Sequence, residues 1–125
     1  MKNILILFTG ILLFGTYGNA QTLLTAEEFK NKLSAIKGEQ LLDVRTPAEF
    51  AQGHLSEAAN LDYKNPAFRE QIKSLDKNKP VFVYCLGGVR SAAAATILKE
   101  NGFREIYDMK GWIFRSKESH LFRTT

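Results

Sequence analysis

A single cysteine, three prolines, two histidines and nine glycines stand among 125 residues. Each scarcity excludes a class of protein. One cysteine allows no internal disulfide, and with two widely separated histidines it gives no ligand spacing of a zinc or haem site, so no structural metal is expected. So little glycine and proline rules out collagen and low-complexity chains. There is no heptad run and no self-similar period, so coiled coils and solenoids also drop out. The excess of 17 basic over 13 acidic side chains is small and interspersed. It forms no basic stripe and no aromatic platform, so nucleic acid is not an expected partner.

The one strongly apolar run is at the start. Ile4 to Phe14 follows Lys2, and Gly18 and Ala20 occupy the small-residue positions of a cleavage site before Gln21. This reads as a secretory signal peptide over residues 1–20, leaving 21–125 as one domain. The run is about half the roughly 20 apolar residues that a membrane span needs. No cysteine follows the cut to carry a lipid, so the mature protein is expected to be exported, periplasmic or secreted, and free of the membrane. Its remaining composition is that of an ordinary domain with one core.

Along residues 21–125, Thr25-Ala26-Glu27-Glu28 is a capping box, with Phe29, Leu33 and Ile36 on one face of the helix that follows, which Lys37-Gly38 ends. Leu41 to Val44 reads as a short buried strand. Thr46-Pro47-Ala48-Glu49 caps a second helix, closed by Gly53. Ala59 to Leu61 reads as another strand. Asn65-Pro66 opens a third helix with Phe68, Ile72 and Leu75 on its buried face. Val81 to Tyr84, entirely β-branched or aromatic, predicts a strand buried on both faces and hence a parallel sheet. A tight loop and a helix over Ala92 to Lys99 come next, stopped by Asn101-Gly102, and Arg104 to Tyr107 predicts a last strand. Alternating short strands and helices indicate an α/β sandwich.

In such a sheet, ligands bind at the carboxyl ends of strands, which is where Cys85 falls. A lone cysteine is by default a small buried hydrophobe. Its surroundings argue for chemistry. Gly87 and Gly88 let successive N–H groups turn inward as an anion nest, and the helix starting near Ser91 aims its positive end at the same point. An ordinary cysteine is about 3% thiolate at pH 7, and a majority thiolate needs roughly 2.7 kcal/mol. A helix dipole supplies ~0.3 to 1 kcal/mol and each N–H bond to a charged group ~1.5 to 3. The loop backbone is therefore the expected activator. Arg90 is expected to bind an anionic substrate or to brace the loop through a carboxylate.

Leu41-Leu42-Asp43-Val44-Arg45, Glu49-Phe50, Gly53-His54-Leu55, Ala58-Ala59-Asn60 and Val83-Tyr84-Cys85 with its C-x-x-G-x-R-S loop together resemble a rhodanese (sulfurtransferase) domain, from about Leu23 to Trp112. With the leader, the chain is similar to small exported single-domain members. The resemblance implies a rhodanese-like sandwich with about five parallel strands and helices on both faces. It implies that Cys85 is the catalytic nucleophile and carries sulfur as a persulfide, without a cofactor. The donor would be a small anion such as thiosulfate, and the acceptor cyanide or a thiol, including a protein thiol. Leu86, Gly87, Gly88, Val89, Arg90 and Ser91 would bind substrate and persulfide. Asp43 and Arg45 would support the loops by ion pairing. Glu49 is already explained as a cap, His54 reads as structural, Trp112 as packing, and His120 lies near the terminus.

Other functions remain in view. One is a non-enzymatic persulfide carrier or redox-sensing module; another is a phosphatase or arsenate reductase. Four residues separate Cys85 from Arg90, whereas the related dual-specificity phosphatases of the cell-cycle type have five, and no resolving cysteine is present. Leu86 is apolar and no charge precedes Arg90, unlike thiosulfate-preferring members, so another donor is compatible with this loop.

Overall fold

The computed structural model describes residues 21–37 and 39–111. The expected leader, Gly38, Trp112 and His120 lie outside the described residues. Five strands, β1 (Gln21–Leu24), β2 (Gln40–Asp43), β3 (Ala59–Asn60), β4 (Val81–Tyr84) and β5 (Ile106–Met109), form one sheet. All four pairings are parallel, in the order β1-β5-β4-β2-β3. The helices are α1 (Ala26–Ala35), α2 (Pro47–Gln52), α3 (Phe68–Gln71, continued by a 3-10 turn over Ile72–Ser74) and α4 (Val89–Glu100). The five-stranded parallel sandwich is the fold expected from the resemblance.

Period-two alternation along the strands divides the core between the two faces. Phe82, Tyr84, Leu41, Tyr107 and Met109 pack with Phe29 of α1 on one side. Leu42, Val81, Val83, Cys85 and Ile106 pack on the other with Phe68, Ile72 and Ala94, Ala95 and Leu98 of α4. In β4 all four residues are buried, as its composition predicts.

Both capping boxes form. Thr25 Oγ1 accepts from Glu28 N at 3.2 Å while Glu28 Oε1 accepts from Thr25 N at 3.1 Å, and Thr46 and Glu49 repeat the arrangement. β2 lies one residue earlier than expected, β3 ends one residue earlier, and α4 starts at Val89 rather than near Ser91 and ends at Glu100; three further boundaries differ. α1 stops at Ala35, because Ile36 has extended backbone angles. α3 starts at Phe68, since Asn65 first makes a turn, its side chain accepting from Ala67 N at 2.9 Å and its carbonyl from Phe68 N at 2.9 Å. The last strand lies two residues further on, because Arg104 and Glu105 bond back to Lys77 and Val81, and parallel pairing begins with Val81 opposite Ile106. The strand β1 had no counterpart in the residue pattern.

Candidate active site

β4 carries the chain to the carboxyl edge of the sheet, and the next residue is Cys85. Its neighbour β2 ends level with it, Asp43 opposite Tyr84, so the loops after the two strands stand side by side. After β2 the chain moves outward to β3, and after β4 it moves the opposite way to β5. The divergence opens a crevice at this edge, the usual place for a ligand in an open parallel sheet.

The six residues after Cys85 wrap around its sulfur. Gly88 N–H and Ser91 N–H donate to Sγ at 3.1 and 3.3 Å. The Ser91 hydroxyl lies 3.4 Å from Sγ, placed to accept the thiol proton, and itself donates to the Gly88 carbonyl at 3.2 Å. Gly88 is the N-cap of α4 with φ +91, a left-handed conformation that glycine adopts without strain, and a Cβ there would meet Gly111 N at 3.4 Å. The first amides of a helix have no partner within it, so Val89 and Arg90 present N–H groups at the mouth of the same loop. Leu86 is half-buried, Gly87 is exposed, and Val89 is the most exposed large apolar side chain described, at 81%. Cys85 is 2% exposed, with its sulfur at the loop floor.

Arg90 braces the loop. Its guanidinium donates to both oxygens of Glu49, at 2.7 and 3.0 Å, tying the β4–α4 loop to the start of α2. That guanidinium holds the Glu49 carboxyl at about 2, well below the ordinary value, with burial opposing and Thr46 assisting. Of the two roles expected for Arg90, this geometry is the bracing one.

Asp43 and Arg45 form a buried pair below the crevice. Arg45 Nε and Nη2 reach the Asp43 carboxylate at 3.0 and 2.7 Å, and Nη2 also reaches the Gly53 carbonyl at 2.7 Å. Burial alone would make the Arg45 cation easier to discharge, but its bonds to Asp43 and that residue's charge outweigh burial and raise its pKa. Two residues that the sequence reading did not single out complete the brace. Tyr84 donates its hydroxyl to Asp43 Oδ2 at 2.8 Å and accepts from Leu55 N at 3.0 Å, and its own ionisation is pushed up by burial and then by Asp43. Asn60 donates to the Asp43 and Arg45 carbonyls at 3.1 and 2.9 Å. His54 stacks on Phe50, with centroids 3.6 Å apart, and its Nδ1 meets the Phe50 carbonyl at 3.0 Å.

A cleft of about 220 Å³ opens beside the loop, lined by Arg45, Glu49, Gln52, Gly53 and Leu86. It is large enough for a small anion or the end of a thiol, and it joins the Cys85 loop to the α2 region through Leu86.

The family model for the rhodanese-like domain matches residues 25–114. The chain is 40% identical to YqhL of Bacillus subtilis over 88 residues, covering 70% of this chain and 66% of that protein. It is 40% identical over 86 residues to the chloroplastic thiosulfate sulfurtransferase 16 of Arabidopsis thaliana, covering 61% of this chain and 72% of the relative. A tRNA uridine(34) hydroxylase of Buchnera aphidicola matches at 34% identity over 78% of this chain, but the match spans only 32% of that enzyme. Among solved structures, a rhodanese-like domain protein of Staphylococcus aureus superposes with a TM-score of 0.65 at 33% identity, over 74% of this chain and 87% of its own. A rhodanese-related protein of Thermoplasma volcanium gives 0.67 at 29% identity, over 82% and 95%.

Proposed function

Because the chain belongs to the rhodanese-like domain family, we propose that it is a sulfurtransferase that carries sulfane sulfur as a persulfide on Cys85. The observation that carries this reading is the pair of amides, Gly88 N–H and Ser91 N–H, converging on Sγ at 3.1 and 3.3 Å. Hydrogen bonds to a charged acceptor are worth ~1.5 to 3 kcal/mol each, so two converging donors suit a sulfur that attacks and leaves as an anion during transfer. The thiosulfate sulfurtransferase among its relatives supports the same class of chemistry.

In the first step the Cys85 thiolate attacks the outer sulfur of thiosulfate or a related sulfane donor. An S–S bond forms to Cys85, the donor's S–S bond breaks, and sulfite leaves with the electron pair. The outer sulfur of the persulfide then sits within the loop, where the remaining first-turn amides of α4 and the Leu86 and Gly87 backbone can bind its charge. In the second step cyanide or a thiolate attacks that outer sulfur, and Cys85 leaves as thiolate. No external oxidant or reductant is consumed. Arg90, held by Glu49, keeps the loop closed around the sulfur. The proposed setting is an exported, oxidising compartment, with the first twenty residues removed.

Intact mass after incubation with thiosulfate tests the reading directly. The expected result is a gain of one sulfur atom, removed by cyanide, and no gain in C85S despite an unchanged circular dichroism spectrum. Steady-state sulfite release distinguishes a turning-over enzyme from a carrier that is loaded once. A wild-type mass unchanged by thiosulfate and by other sulfane donors, or a C85S protein that loads as well as wild type, rejects the assignment.

A further inference from the structure

Thiolate formation at Cys85 leaves a proton to be placed, and no polar group in the steps above receives it. Behind the loop lies an acid that those steps do not use. Asp108 sits in β5, flanked in the sheet by Val83 of β4 and Leu23 of β1, and it is 1% exposed. Its Oδ1 is buried with no hydrogen-bond partner among the described residues. A carboxyl in that position is costly to keep ionised, since burial of an unpaired polar group disfavours the charged form. Ser91, buried on α4 where that helix packs against β5, lies within electrostatic reach of the carboxyl without a formed hydrogen bond to it, and its hydroxyl touches Cys85 Sγ.

We propose that Asp108 is the internal acceptor of the Cys85 thiol proton, reached through the Ser91 hydroxyl, so that the thiolate forms without a proton entering solvent. The S–H bond breaks and its proton passes to Ser91 Oγ. The proton already on Ser91 Oγ passes to the Asp108 carboxylate. One negative charge moves from oxygen to sulfur, and no redox change occurs. Ser91 can turn from the Gly88 carbonyl to Asp108 without stranding it, because that carbonyl also accepts from Ala92 N at 3.1 Å.

The surroundings leave Asp108 free for this exchange. From α4 it meets Ser91, while the adjacent Arg90 is turned to Glu49. From β4 it meets Val83 and from β1 Leu23; the Asp43–Arg45 pair belongs to the end of β2. Among the described residues, therefore, no charged partner pins the carboxyl in its ionised form. Burial raises it to about 6, with Ser91 pulling the other way, which keeps its proton affinity close to neutral pH.

This inference rests on the reading that Cys85 reacts as a thiolate, and alkylation by iodoacetamide tests it apart from sulfur transfer. The rate is followed from pH 5 to 9 in wild type, D108N, S91A and the double variant. In wild type the two coupled groups should give a two-step profile. In D108N the expected profile has one step and is slower at neutral pH by about tenfold, the effect of one unit in proton affinity. Because Asp108 acts only through Ser91, D108N should cost nothing further in an S91A background. A D108N profile superimposable on wild type, or multiplying D108N and S91A effects, overturns the relay. A wild-type protein that alkylates with the expected profile but gains no sulfur would fail the sulfurtransferase reading and leave the relay standing.

Discussion

Gly87 and Gly88 are adjacent in the loop and physically unlike. Gly88 holds φ +91 and delivers its N–H to the sulfur, whereas Gly87 lies outside the left-handed region and a Cβ there meets nothing within 4 Å. A side chain in the left-handed region costs roughly 1 to 2 kcal/mol. G88A should therefore lower stability by about that amount and lose sulfur loading, because relief of the strain rotates the amide off Sγ. G87A should leave both nearly unchanged. Thermal unfolding and the thiosulfate mass gain check the pair, and equal losses in the two variants would show that the loop does not depend on the Gly88 conformation. Sequence alone marked both glycines but could not rank them, because the ranking depends on a dihedral angle. The same limit hid Tyr84, Asn60 and Asp108. Tyr84 and Asn60 are ordinary strand residues by pattern and Asp108 falls just past the expected last strand, and each has a polar atom whose importance comes from what the neighbouring strand or loop brings to it. Glu49 was legible only as a cap; its second role needs Arg90, 41 positions away.

The elements were legible in proportion to how completely they are buried. β4 is apolar on both faces and sits in the middle of the sheet, so composition alone gave its limits. β1 is an edge strand with only Leu24 buried and Leu23 58% exposed, and it exists because β5 offers a free side to pair with. No periodicity in Gln21 to Leu24 could have announced that. α4 is the other instructive element. It buries Ser91, Ala94, Ala95 and Leu98, at spacings of three and four, and its run of alanines lets it approach the sheet closely. Its N-cap has no side-chain hydrogen bond, so packing rather than capping holds the start of the helix and the loop before it. A94L should force the helix outward. The expected cost is about 1 to 3 kcal/mol, the usual range for overpacking, with slower Cys85 alkylation because the Ser91 N–H retreats from the sulfur. A93L, at a half-buried position, should cost less on both measures. Equal alkylation rates in A94L and wild type would separate helix packing from the geometry of the site.

Considered as one molecule, the domain carries two carboxyls whose effects on stability oppose each other. Glu49 is held down to about 2 from 4.5 by Arg90, so the folded state favours its ionised form; that contribution is complete above pH 4.5 and is lost as pH falls toward 2. It is partly exposed, which limits it to roughly 1 kcal/mol. Glu28, lowered by its backbone and side-chain bonds to Thr25, acts in the same direction. Asp108 is raised from 3.8 to about 6 by burial, so the folded state favours its protonated form; that contribution is complete below pH 3.8 and is lost as pH rises through 6. For a buried carboxyl lacking a partner the cost is of order 1 to 3 kcal/mol. The two limbs oppose each other and overlap between about pH 4 and 5. Urea unfolding from pH 3 to 8 should show E49Q flattening the acid limb alone and D108N flattening the limb above pH 5 alone. If D108N loses stability in parallel with wild type from pH 5 to 7, the buried acid is not what titrates. The same carboxyl that costs stability near neutrality is the one placed to hold the Cys85 proton, so a D108N protein both more stable at pH 7 and slower to alkylate would join the two effects in one group.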